Sequence, residues 1–158
     1  MTNKTTFHKA SHSDIPTLIE NRILFAIELG GQKSAAETEN LRIHLNDYLS
    51  RSMATNSCIS FLAKQADQVV GVGTLQLREQ PGNFKNPSGK WGYIMNMYTH
   101  PSFRGQGICS SILQKLMDEG QALGICAFEL HATEAGEKVY LKNGFEKHVE
   151  PTLRRYEL

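Results

Sequence analysis

Cysteine is scarce in this 158-residue chain: Cys58, Cys109 and Cys126 are odd in number and widely spaced. A disulfide framework is therefore not expected, and the three read as reduced thiols in a cytoplasmic protein. No cysteine stands at metal-ligand spacing from another and the histidines form no cluster of metal-binding spacing, so no metal is expected. A surplus of one charge is missing as well. The 17 lysines and arginines against 16 aspartates and glutamates give a formal net charge of +1, with no basic stripe and no acidic tail, which speaks against nucleic acid and against a membrane surface as partners. Nowhere do about 18 apolar residues run together, and Met1-Thr2-Asn3-Lys4 leads into no apolar stretch of leader length. Repeats and low-complexity linkers are absent too, so residues 1–158 read as one domain, a length that sits within the usual range of roughly 100–200 residues.

What is present alternates between two periods. Thr5 to Lys9 reads as a short strand, and Ser13 opens a helix with Pro16 in its first turn and Ile15, Leu18, Ile19, Ile23 and Ile27 on one face. Gly30-Gly31 ends it. A second helix runs roughly from Ser34 to Ser52, with Leu41, Leu45, Tyr48 and Leu49 at helical spacing. Ser57 to Lys64 and Val69 to Arg78 form a hairpin around Ala66-Asp67-Gln68. Glu79 to Lys90, with Pro81, Gly82, Pro87 and Gly89, is a loop. Trp91 to Thr99 and Ile125 to His131 are strands joined by a helix, hence a parallel pair with a right-handed crossover. The order is β-α-α-β-β-β-α-β-α-β, with one further strand possible at the end, and it makes a mixed α/β sheet with helices on both faces.

The densest chemistry lies at Thr99-His100-Pro101-Ser102-Phe103-Arg104-Gly105-Gln106-Gly107-Ile108-Cys109-Ser110. A strand end turns here through glycines into a helix whose apolar positions are Ile108, Ile112, Leu113, Leu116 and Met117. A helix start offers unpaired N–H groups and the positive end of its dipole, so Gly105 and Gly107 beside Arg104 make an anion site. A P-loop is ruled out because no Gly-Lys-Ser/Thr follows. A dinucleotide fingerprint has Glu129 at about the ~20-residue distance of a ribose-binding acid, but its third glycine is Ser110 and the preceding strands read as an antiparallel meander.

The stretch Arg104-x-x-Gly107-x-Cys109 resembles motif A of the GNAT N-acetyltransferases, Arg/Gln-x-x-Gly-x-Gly/Ala. About thirty residues later, Val139-Tyr140-Leu141-Lys142-Asn143-Gly144-Phe145 is similar to that family's Leu-Tyr-x-x-x-Gly-Phe element. The element order matches over nearly the whole chain. The resemblance implies a single-domain GNAT-type fold, mostly antiparallel, whose parallel strands splay to admit the pantetheine arm of acetyl-CoA. It implies that Met97, Tyr98 and Thr99 hold pantetheine and acetyl through their backbone. Arg104, Gly105, Gln106, Gly107, Ile108, Cys109 and Ser110 would hold the pyrophosphate, and Thr133 stands where the family has an asparagine touching CoA. Tyr140 would contact the cofactor and protonate the leaving thiolate. The activity implied is acetyl transfer to a primary amine of a small molecule or peptide, and many relatives are dimers.

Proton removal from the amine is less clear in the sequence. Met95, with Asn96 beside it, occupies the place where many family members carry a glutamate. Glu129 and His131 share one face of the next strand, His131 as an acceptor at neutral pH and Glu129 as its orienter; Glu79 and an ordered water are further candidates. The missing strand glutamate keeps a second class open, a domain that binds acetyl-CoA or CoA as a sensor or interaction module without transferring anything. Cys109 reads as a packed small residue, although the helix start beside it could lower its pKa. His8, His12, His44, His100 and His148 read as surface residues. The two N-terminal helices and the loop Glu79–Lys90 show no charge block that names an acceptor.

Overall fold

A computed structural model describes residues 4–157; Met1–Asn3, part of the stretch in which no leader is read, and Leu158 lie outside the described residues. The chain forms β1 (Thr5–Lys9), α1 (Ile15–Gly30), α2 (Ala35–Ala54), β2 (Cys58–Gln65), β3 (Gln68–Glu79), β4 (Lys90–Thr99), α3 (Ile108–Ala122), β5 (Phe128–Leu130) and α4 (Glu134–Lys142). The strands make one sheet in the order β1-β2-β3-β4-β5. Every pairing is antiparallel except β4 with β5.

Local chemistry explains most boundaries. The chain enters α1 through a short turn capped at Ser11, whose backbone N–H donates to the Asp14 carboxylate at 2.8 Å, and the cap position of α1 itself is Asp14, one residue after the expected Ser13. Gly31 at φ 78° ends that helix, a conformation open to glycine at little cost. Ser34 and Glu37 cap α2 reciprocally: the Ser34 hydroxyl accepts from the Glu37 N–H at 3.2 Å, and the Glu37 carboxylate accepts from the Ser34 N–H at 2.9 Å.

The sheet separates two cores. On one face Ile112, Leu113 and Leu116 of α3 pack with Phe61, Val70, Leu75 and Ile94, and Tyr140 of α4 joins them. On the other face Ile15, Leu18, Ile19 and Ile23 of α1 and Leu49 of α2 cover Leu62, Val72 and Tyr98. Helices therefore lie on both faces, as the sequence predicts.

The end of the chain differs from that expectation. No strand follows α4 among the described residues, and the strand expected over Ile125–His131 shortens to Phe128–Leu130. After Gly144 the chain runs Phe145-Glu146-Lys147-His148-Val149-Glu150-Pro151, where Phe145 packs back on Tyr140, Val149 is exposed and Pro151 lacks an N–H. Nothing in that run alternates over the length that a half-buried strand needs.

Candidate active site

The site begins where β4 and β5 part. Their pairing covers only Gly92 to Ile94 against Phe128 to Leu130, while β4 continues to Thr99. From Met95 onward the edge of β4 facing β5 has no strand partner, and an open cleft of about 910 Å³ runs along it.

A bulge sets the direction of that edge. Thr74 pairs with Met95 and Val72 with Tyr98, so Gly73 alone faces both Asn96 and Met97. Asn96 has φ 55°, a conformation that asparagine tolerates better than most residues. The extra residue inverts the alternation of side chains. Met97 packs with the α3 core and Tyr98 with the α1 core, and both line the cleft together with Thr99.

Beyond β4, a 3-10 turn at Pro101–Phe103 leads into α3. Gly105 and Gly107 have φ 79° and 74°, and a Cβ on either would meet nothing within 4 Å. Backbone conformation, not crowding, is what requires glycine here. No side chain caps α3, so its first N–H groups face the cleft where Ile108, Cys109 and Ser110 line it. Gln106 does not join them: its side chain takes a hydrogen bond from Gln65 at 2.8 Å.

Arg104 lines the cleft but is already committed. Its Nη1 and Nη2 donate to the two carboxylate oxygens of Glu28, both at 2.8 Å, and its Nε donates to the Thr99 carbonyl at 2.9 Å. These bonds hold the Glu28 carboxyl below its usual range. The cation read beside the glycines is thus also a fork joining α1 to the end of β4.

On the opposite wall Thr133 caps α4 by accepting from the Gly136 N–H at 3.1 Å. Tyr140 lines the cleft, although its side chain is buried, and its ring meets Phe145 edge-on. Burial pushes its phenol well above the ordinary tyrosine value, with the Cys109 thiol adding to the effect. That thiol is itself raised by burial, so the helix start does not activate it. Sequence reading missed Asn143, which donates to Ser110 Oγ at 3.1 Å and to the Val139 carbonyl at 2.7 Å, tying the end of α4 to the start of α3. Its polarity at a helix end was the available signal.

The candidate bases separate. His131 lines the cleft, its Nδ1 2.7 Å from the Tyr93 hydroxyl and its Nε2 3.1 Å from Thr152 Oγ1. Glu129 pairs in register with Tyr93 but is exposed, does not line the cleft and makes no hydrogen bond to His131 among the described residues. Glu79 sits at the far end of β3 opposite Lys90. His100, expected at the surface, is half-buried, with Nε2 3.0 Å from Asn21 Oδ1.

The buried hydroxyls and thiols carry a stability prediction. Burial raises Tyr140 and Tyr98, pushes Tyr48 up to about 12, and raises Cys58 and Cys109. An unfolded chain loses thiol protons near pH ~8.5 and phenol protons near ~10, while the folded chain retains them. The folded state then binds more protons, so stability falls as pH rises. Urea midpoints are expected to hold to about pH 8 and decline above it, more steeply beyond ~10. A Tyr48→Phe chain should lose part of the steeper slope; an unchanged slope would remove Tyr48 from the account.

A family model described as the acetyltransferase (GNAT) family matches residues 24–145. The chain belongs to that family. A predicted acetyltransferase of Clostridium acetobutylicum, solved with acetyl-CoA, is 28% identical, with 96% of each chain covered and a TM-score of 0.88. More distant folds include the glucosamine-6-phosphate N-acetyltransferase of Arabidopsis thaliana, 15% identical over 98% of this chain and 99% of that one, with a TM-score of 0.70. The ribosomal-protein-alanine N-acetyltransferase of Brucella melitensis is 14% identical over 98% and 100%, with a TM-score of 0.72. No curated protein matches the sequence. As a GNAT acetyltransferase the chain shares its fold with enzymes named for a sugar phosphate and for a protein, so the fold does not select the acceptor.

Proposed function

We propose that this GNAT acetyltransferase moves the acetyl group of acetyl-CoA to a primary amine by direct attack on the thioester. The observation that carries this is the convergence on one cleft of an uncapped α3 N-terminus, the unpaired edge of β4 and the protonated phenol of Tyr140. The first suits a pyrophosphate, the second an amide-bearing pantetheine arm. A backbone N–H of Met97 to Thr99 polarises the acetyl carbonyl, and Tyr140 supplies the proton that the CoA thiolate takes as it leaves.

His131, which lines the cleft and is oriented by the Tyr93 hydroxyl at 2.7 Å and Thr152 Oγ1 at 3.1 Å, takes the proton of the amine by way of an ordered water. Glu129 has no part in this path. The chain acts as one domain on a small-molecule or peptide amine.

With a broad panel of amines, release of free CoA thiol is expected to accelerate for some acceptors, and calorimetry should show acetyl-CoA binding. No binding at millimolar acetyl-CoA would sink the reading. Tight binding with an intact thioester in the presence of every amine would instead favour a sensor or interaction module.

A further inference from the structure

Before Met95, where β4 is still paired with β5, the face of β4 turned toward α1 carries Tyr93, and two guanidinium groups converge there. The Arg78 guanidinium carbon lies 3.7 Å from the centre of the Tyr93 ring. Its Nε donates to Gln76 Oε1 at 2.8 Å, while its terminal nitrogens meet no acceptor among the described residues. Arg22 of α1 lies 5.6 Å from the centre of the Phe25 ring, and Phe25 lines the cleft. It is half-buried and within electrostatic reach of the Tyr93 phenol, and burial lowers its pKa.

Neither arginine has an ion-pair partner among the described residues. Arg42, Arg51, Arg104 and Arg155 all meet carboxylates, with Arg42 joined to both Glu20 and Glu39. Glu129 follows Tyr93 in the same row across the sheet, yet it pairs with neither Arg22 nor Arg78. Partly desolvating a guanidinium without an anion is costly, so a pair of them beside the reaction cleft calls for an anion from outside.

We propose that Arg22 and Arg78 bind a carboxylate or phosphate carried by the acceptor, whose amine points back along β4 toward Met97. The inference rests on the acetyl-transfer reading. Tyr93 and Met97 are four residues apart on β4, at most about 13 Å at ~3.3 Å per residue, with the bulge at Asn96 shortening the span. An acceptor with several atoms between amine and anion fits best.

The test pairs ω-amino acids of increasing length with their neutral amides, and ω-aminoalkyl phosphates with the corresponding amino alcohols. For the anionic member of the best pair, kcat/KM is expected to exceed that of its neutral partner by about 100-fold, an advantage resembling that of charge-assisted hydrogen bonds. Whichever series shows the larger advantage tells carboxylate from phosphate. Arg22→Met should remove most of the advantage through KM, leaving acetyl-CoA affinity unaffected, and Arg78→Met should cut the ratio of anionic to neutral partner by a similar factor; Arg22→Lys should restore part of it. Calorimetry of the same amines against the CoA complex keeps the two readings apart. Preferential binding of the anionic amines without turnover would support the arginine pair and overturn acetyl transfer. Equal turnover of anionic and neutral partners would overturn the arginine pair and leave acetyl transfer standing.

Discussion

Replacing Tyr140 by phenylalanine is expected to lower kcat about 100-fold or more while the acetyl-CoA dissociation constant stays within about twofold, as loss of a general acid should. A 100-fold loss corresponds to about 2.7 kcal/mol of transition-state stabilisation. The substitution removes one hydroxyl and little else. The ring keeps its edge-on contact with Phe145. A Cβ on Gly136 would stand 3.2 Å from the Tyr140 ring, so that glycine leaves the space in which either aromatic ring lies. The hydroxyl faces the Cys109 thiol, itself kept protonated by burial, so no anion competes for the phenol's proton. Because the phenol is raised above its ordinary value, it stays a donor through neutral and mildly alkaline pH. The wild-type kcat profile should therefore show no alkaline fall from Tyr140 below about pH 10. Equal losses in kcat and in acetyl-CoA affinity would make the hydroxyl structural instead.

How much of this site could be read in advance depends on how local each part is. Gly105, Gly107 and the apolar positions of α3 are neighbours in the chain, and a helix start follows from their order alone. Thr133 as the cap of α4 was legible for the same reason. Arg104 was seen as a cation, but its partner Glu28 lies 76 residues away, and nothing in the spacing announces that pairing. Cys109 shows two local rules in conflict. A helix start favours the thiolate and burial disfavours it, and only the packed structure shows that burial wins. The strand expected after Gly144 failed because Phe145 is used against Tyr140, leaving the rest of the tail without an apolar face. The bulge at Asn96 was the largest omission. It depends on the register between β3 and β4, which a single strand's alternation does not contain.

That bulge makes Gly73 a position beside the cleft where a single added carbon is expected to cost much stability. Alanine in place of a strand glycine ordinarily stabilises slightly, by restricting the unfolded chain. Here the added Cβ would stand 2.5 Å from Met97 Sδ and 2.6 Å from Ile112 Cγ2. The Met97 sulfur can swing aside. Ile112 cannot, because it is β-branched, fully buried and held in α3 between Ile108 and Leu116. Gly73→Ala is expected to cost about 2–3 kcal/mol, at the upper part of the range for overpacking, seen as a lower urea midpoint at constant m. The helix that must yield begins at Gly107, so acetyl-CoA affinity should weaken in the same variant. Gly105→Ala provides the contrast. Its Cβ meets nothing within 4 Å, and only φ 79° opposes it, which predicts a smaller loss of about 1 kcal/mol. Removing the Ile112 side chain beyond Cβ, the obstructing Cγ2 methyl included, separates crowding from a backbone effect. In a double-mutant cycle, Gly73→Ala with Ile112→Ala should cost about 1 kcal/mol less than the two single changes summed. Strict additivity would mean that the strand, and not α3, absorbs the extra carbon.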